Sequence, residues 1–257
     1  ARATRAAPAP GLPGGTDDSP AARNATIATL RGAETRAAAA ARVDALRVSG
    51  LLAPLLASLF AAATAQAELL ADDGGADPAG PDTAGPDTAS PAAAGTGGQR
   101  TPPPDAAAVL RSLNIMLAAS HAAIYAAATA GGALAPLAAT ATGALARQRA
   151  RESWLAHLRL RDQLIADLEA RGGTPVPALA AYRLPTMPVD VSTALRLLGQ
   201  VEDVCATAAH DATAELGTDL RALAVDALAG MALRAQRSRL AAGAPPATAS
   251  RALPGAP

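Results

Sequence analysis

The chain has 257 residues, half of them hydrophobic, yet Phe, Trp and Tyr together fill only four positions against 75 alanines. Its 22 basic residues are all Arg and balance 22 acidic ones, so net charge is zero and no basic stripe with interleaved aromatics marks a nucleic-acid surface. Ala and Leu favour helices while strand-forming residues are sparse, which excludes a β-sandwich and predicts an all-α protein. The single cysteine, Cys205, excludes an intrachain disulfide.

Residues 1–20 are rich in Pro, Gly and Asp without helical period and read as a disordered tail. Residues 21–72 form an accessory helical segment, Ala21 to Arg47 and Leu51 to Leu70, with Ser49-Gly50 as a break between two helices or within one bent helix. Val48 to Ala67 carries no charge and is long enough for a membrane span, and Ala65-Gln66-Ala67 imitates a signal-peptide cleavage site. Against both readings stand Pro54, Gln66 and the gathering of Leu51, Leu52, Leu55, Leu56, Leu59 and Phe60 on one face, the pattern of a soluble packing helix. Residues 73–104, with Gly-Pro-Asp-Thr-Ala and a near copy of it, read as a Pro/Gly-rich linker.

Residues 105–240 hold four helix-length segments. The first starts at Asp105 and runs to Gly131-Gly132, with Leu110, Leu113, Leu117, His121 and Ile124 in line; the second begins near Pro136 and stops at Gly172-Gly173, with Trp154, Leu158, Arg161, Ile165 and Leu168 on one face and His157 and Leu164 beside them. The third follows Asp190 and aligns Leu195, Leu198, Glu202, Cys205 and Ala209. The fourth follows Gly217-Thr218 and aligns Leu223, Asp226, Gly230 and Leu233, with Arg234, Arg237 and Arg239 where cations favour a helix C-terminus. Between the second and third, Arg171 to Asp190 contains Pro175, Pro177, Pro185 and Pro188. Extended, such a run reaches roughly 60 Å, beyond the roughly 37 Å of a 25-residue helix, so the second and third helices can run parallel. Short, long, short connections are those of a ferritin-like four-helix bundle. Residues 241–257 read as a second disordered tail.

Several stretches resemble the ferritin-like domain of uncharacterised actinobacterial proteins, many of which look like exported lipoproteins. They are Ser-His-Ala-Ala-Ile-Tyr at 120–125, His157 with Arg161-Asp162, and Ala-Arg-Gly-Gly-Thr-Pro-Val-Pro-Ala at 170–178 with Tyr182 and Leu184-Pro185. Val201-Glu202-Asp203 and Ala-Val-Asp-Ala-Leu at 224–228 complete the likeness, which covers about Asp105 to Arg239. Members of that family commonly have Glu where this chain has Ser120. The resemblance implies a fold and an extracytoplasmic setting, with a lipid anchor upstream of Ala1 as the route to a membrane and the cytoplasm as the alternative compartment; it implies no reaction.

A di-iron centre in such a bundle needs Glu from two helices and Glu-x-x-His from the other two. None of the six glutamates has His three residues later, Trp154 stands where the partner of His157 would be, Glu202 is followed by Cys205 and Asp226 by Ala229. Two readings of His121, His157, Glu202 and Asp226 remain: an atypical site for iron, manganese or zinc, or a structural hydrogen-bonded network in which Arg161 neutralises Glu202. The network is preferred. His210 is expected exposed or capping, Cys205 an ordinary buried thiol, and Tyr125 and Tyr182 packing residues with hydrogen-bonded tips. Asn24-Ala25-Thr26 matches a glycosylation acceptor by pattern, and the Gly pairs sit at helix ends rather than in a phosphate-binding loop.

The resulting expectation leans to a non-enzymatic binding or structural module without a cofactor, its partner unknown, with a homodimer or attachment to a membrane through an upstream anchor as options and no nucleic acid. The alternative is a metal-dependent oxidoreductase or metal-storage protein. Because residues 73–104 carry too little apolar surface to fold and contain Arg100, trypsin is expected to cut there first. Mass spectrometry of the earliest fragments checks this; first cleavage between Arg147 and Arg171 would contradict it.

Overall fold

Short polar side chains set most of the helix starts. In the computed structural model, which describes residues 19–48, 50–73 and 105–256, Ser19 accepts a hydrogen bond from the Ala22 amide and Pro20 opens α1 (Pro20–Arg47). Of the tail expected over 1–20 and the linker expected over 73–104, residues 1–18 and 74–104 lie outside the described residues, while Pro20 and Asp73 belong to helices. Gly50, at φ +64°, makes the turn into α2 (Leu52–Asp73), so the accessory segment is two helices in an antiparallel hairpin. Asp105 caps α3 (Ala106–Ala133). Asp190 and Thr193 form a reciprocal capping box at the start of α5 (Val191–Glu215), and α6 (Thr218–Ala241) follows a two-residue turn.

The helix between them starts later than the sequence suggests. Gly131-Gly132 stays helical, Ala135–Leu137 forms one 3-10 turn around Pro136, and Thr140 then caps α4 (Ala141–Ala170) by accepting from the Gly143 amide at 3.1 Å. Only glycine serves at 143, because a Cβ there would overlap the Leu137 carbonyl.

α3 and α4 are antiparallel, as are α5 and α6. The extended stretch from Arg171 to Asp190 climbs along α3: Asn114 donates to the Thr174 carbonyl at 3.1 Å and accepts from the Val176 amide at 2.8 Å. Tyr182 stacks tilted on Tyr125, its hydroxyl accepting from the Leu179 amide. That climb makes α4 and α5 parallel, and their C-terminal ends meet in one cleft lined by Arg171, Gly217 and Ala106. α2 lies on α5 and α6, with α1 outside it, so three helix pairs stack in layers with α5/α6 in the middle. Ala45, Ala57 and Ala61 of the hairpin belong to the same contiguous core as Leu113, Leu164, Leu198 and Leu228.

The buried faces differ from those expected, and the reason is alanine. In α4 the inward line is Ala146, Ala150, Ser153, His157, Leu164 and Leu168, one position away from the expected Trp154, Leu158, Arg161, Ile165; Trp154 is 37% exposed. In α3, Leu113 and Leu117 are buried as expected, but Ser120 and Ala127 continue the line rather than His121 and Ile124. α6 is covered on two sides, so Ala224, Val225, Leu228 and Ala232 are buried while Leu223, Gly230 and Leu233 are half-buried and Asp226 is exposed. The expected line of α5 holds throughout. Small residues let helix backbones approach closely, so the small face is what gets buried.

Residues 242–256, expected as a disordered tail, fold back over the bundle. Ala249, Pro254 and Gly255 are buried, and Ser58 donates to the Pro254 carbonyl at 2.7 Å. Gly255, at φ +81°, passes so close to the Ala206 carbonyl that a Cβ would sit 2.7 Å from it. His210, expected exposed or capping, is mostly buried, lies against Gly255 of this segment and faces Asp211 at 2.9 Å.

α2 shows the inversion most fully. Ala53, Ala57, Ser58, Ala61 and Ala65 face inward, while of the expected face Leu51 just before the helix is 89% and Leu52 57% exposed, Leu55 and Leu59 are exposed, and only Leu56 and Phe60 pack, half-buried, against the core. Leu52→Ser is therefore expected to change unfolding free energy by less than about 0.5 kcal/mol, whereas Ala57→Leu overpacks the α2–α6 contact and costs about 1–3 kcal/mol. Urea titration followed by circular dichroism checks the pair; the opposite order would mean that the Leu face is the buried one.

Candidate functional site

Position 202 falls on the inward line of α5 at the level where α4 and α6 both approach, so a carboxylate sits at the centre of the bundle with no exposed surface. A buried charge is tolerated only when paired and hydrogen-bonded. Glu202 achieves this with three helices. Ser153 of α4 donates to Oε1 at 2.6 Å, His157 Nε2 faces Oε2 at 3.2 Å, and Arg234 of α6 forks across both oxygens, Nε to Oε1 at 2.8 Å and Nη2 to Oε2 at 3.0 Å. Burial by itself raises the Glu202 pKa; the Arg234 guanidinium and the His157 imidazole outweigh it and hold the carboxyl well below the usual carboxylate range.

His157 thus meets the carboxylate through Nε2, while its Nδ1 is buried without a hydrogen-bond partner among the described residues. Cys205, one turn further along α5, donates its thiol to the Ala119 carbonyl at 3.4 Å. Burial, and next the Glu202 charge, push that thiol's pKa up, so no thiolate nucleophile forms.

The four residues singled out from the sequence do not form one cluster. His157 and Glu202 meet. His121 instead faces the Val176 carbonyl at 3.2 Å on the extended crossover, and Asp226 is forked by Arg42 of α1 at 2.6 and 2.7 Å, on the outer side of α6. Arg161, expected to neutralise Glu202, turns to Asp162 beside it, because its position on α4 is off the buried line. Ser153 and Arg234 are the partners the sequence reading missed. The usable signal was the small-residue line Ala146, Ala150, Ser153, His157, which puts Ser153 and His157 on one face. Arg239 lies in the last turn of α6 as expected, and Arg234, Arg237 and Arg239 all reach carboxylates on neighbouring helices, Glu202, Glu68 and Asp203.

The donor set does not suit a metal ion. Both Glu202 oxygens are occupied by a guanidinium that repels a cation, Ser153 takes a third contact, and among the described residues no three His, Cys, Asp or Glu side chains converge. What the arrangement does chemically is fix α4, α5 and α6 to one another through a saturated ion pair.

Fold and site together define an all-α bundle closed around a buried Glu–Arg–His–Ser cluster. The chain belongs to the family described as Domain of unknown function (DUF4439), whose model matches residues 112–257 and leaves the α1–α2 hairpin outside the match. It is similar to a solved structure described as "Crystal structure of a conserved hypothetical protein, rv2844, from Mycobacterium tuberculosis", at 29% identity over 55% of this chain and 94% of that one, with a TM-score of 0.48. No curated protein matches the chain.

Glu202→Leu strands the Arg234 charge in the interior and is expected to cost about 3–5 kcal/mol; Glu202→Gln keeps polar partners and costs less. Because the folded pKa of Glu202 lies below its unfolded value of about 4.3, its contribution is complete well above that pH and is lost as pH falls through and below it. Acid unfolding of Glu202→Gln is therefore expected to show a shallower loss of stability below about pH 5 than the parent, measured by denaturant titration at a series of pH values. An identical slope would contradict the ion-pair assignment.

Proposed function

We propose that this protein is a non-enzymatic binding or structural module that has the connections of a ferritin-like bundle without its metal chemistry. The observation carrying this reading is that Glu202, the most deeply placed carboxylate, spends both oxygens on Ser153, His157 and Arg234 and is sealed from solvent. A catalytic carboxylate needs an oxygen that can reach substrate, a proton or a metal ion. The adjacent thiol is equally closed, held against the Ala119 carbonyl. The second feature in support is the sequence of connections: the parallel relation of α4 and α5 across the 171–190 crossover is what a ferritin-like bundle requires. An extracytoplasmic setting is part of this reading, supported by the resemblance of 120–125 and 170–178 to ferritin-like domains of proteins many of which look like exported lipoproteins.

Element analysis of protein purified without chelators tests the reading. Iron, manganese and zinc are expected far below one equivalent and unchanged by Glu202→Gln. Near-stoichiometric metal that disappears in both Glu202→Gln and Glu202→Leu would overturn it and make the protein a metal-dependent oxidoreductase or store.

A further inference from the structure

On the face of α4 beside the Ser153–His157 line, the chain builds a second feature that the buried cluster does not use. Arg147, Arg151 and Trp154 follow one another at spacings of four and three residues, which puts them on one exposed face of α4. That face borders a cleft of about 630 Å³ between α3 and α4, floored by Ala127, Ala128 and Gly131. The volume is that of a small-molecule site.

Three properties of the cleft point to one ligand chemistry. Its floor is made of alanine and glycine, so a flat ring can lie against the two helices without meeting a side chain longer than a methyl group. Its end wall is an indole that is more than a third exposed, although an aromatic of that size is ordinarily well buried. Its rim carries two arginines one helical turn apart, their Cβ atoms roughly 6 Å from each other, and neither guanidinium meets a carboxylate among the described residues. This contrasts with Arg149 on the same helix, which is paired with Glu152, and with Arg234, Arg237 and Arg239, which are all paired. Among the described residues no carboxylate lines the cleft, and Glu152 next to it is taken up by Gln148 and Arg149.

We propose that the α3–α4 cleft binds a small organic anion that joins a flat ring to one carboxylate or phosphate group, the ring stacked on Trp154 over the Ala127–Gly131 floor and the anionic group held by Arg147 and Arg151. Guanidiniums match the planar oxygens of carboxylate and phosphate alike, so the geometry defines the charge and the ring and leaves the choice between the two groups to the probes. The site is independent of the Glu202 cluster, and its test does not involve metal content.

Trp154 is the chain's single tryptophan, so its fluorescence reports this cleft alone. Titration of the full chain with benzoate and, separately, with adenosine 5′-monophosphate is expected to give a saturable change for at least one of them; which one saturates identifies the anionic group. Benzamide, adenosine and inorganic phosphate, each lacking one half of the ligand, are expected to bind at least tenfold more weakly. The double variant Arg147→Ala/Arg151→Ala should lose about tenfold or more in affinity with the helical circular dichroism unchanged, since both side chains are exposed and meet no carboxylate among the described residues. Ala128→Leu, which raises the floor without altering charge, should weaken binding similarly. Absence of a saturable change with either anion, equal affinity for the neutral or ring-free probes, or unaltered affinity in the double Arg variant would overturn the assignment.

Discussion

A core made mainly of alanine stabilises a protein only if the helix axes come close together. Burying a Leu contributes about 1.5–3 kcal/mol, whereas an Ala contributes little more than one methyl group. The difference is recovered through contact of backbone with backbone, where dispersion between close-packed atoms adds up over the length of each helix. Everything distinctive in this bundle follows from that constraint. It explains why Ala53, Ala57, Ala61 and Ala65 are the inward face of α2, why Ser120 and Ser153 are buried, and why Trp154 and Leu52, Leu55 and Leu59 of α2 stand at the surface.

Close approach also settles the polar interior. A carboxylate at 202 on α5 has no room for water around it, so its solvation must come from side chains of the flanking helices. Ser153 and His157 on α4 and Arg234 on α6 supply it. Such a cluster adds little net stability over an apolar equivalent, because desolvating two charges offsets much of their attraction. Its consequence is that one register between α4, α5 and α6 satisfies it, while sliding a helix by one turn leaves a charge unpaired. In a core of near-identical alanine faces, which tolerate several registers, that discrimination has structural value.

The α1–α2 hairpin is joined to the bundle in the same manner. Its alanine face makes the close contact, and ion pairs and hydrogen bonds at the margins fix the position. Arg42 forks Asp226, Arg237 forks Glu68, Gln236 donates to the Ala65 carbonyl, and Arg221 reaches the Val48 carbonyl. The C-terminal segment adds a further strut, with Arg251 and Arg239 sharing Asp203 and Pro254 held by Ser58. α6 is thus enclosed by α5 on one side and the hairpin on the other, which is why no single apolar stripe marks it.

Local rules of the chain were enough to determine the all-α class, the helix ends at Asp105, Asp190, Gly172-Gly173 and Gly217, the break at Gly50 and the inward line of α5. Each depends on a capping side chain, a glycine or the large apolar residues of one helix, and each can be read within a few residues. Which face of α2, α4 and α6 is buried was decided only by tertiary structure, because alanine carries almost no directional signal and the face is chosen by how closely two backbones can pack. The site divides along the same line. Glu202 and His157 could be picked out as polar residues on or beside apolar lines. Their true partners, Ser153 and Arg234, and the departure of His121 to Val176 and Asp226 to Arg42, depend on helix rotations of one residue or less, and those rotations are set by contacts between helices far apart in sequence.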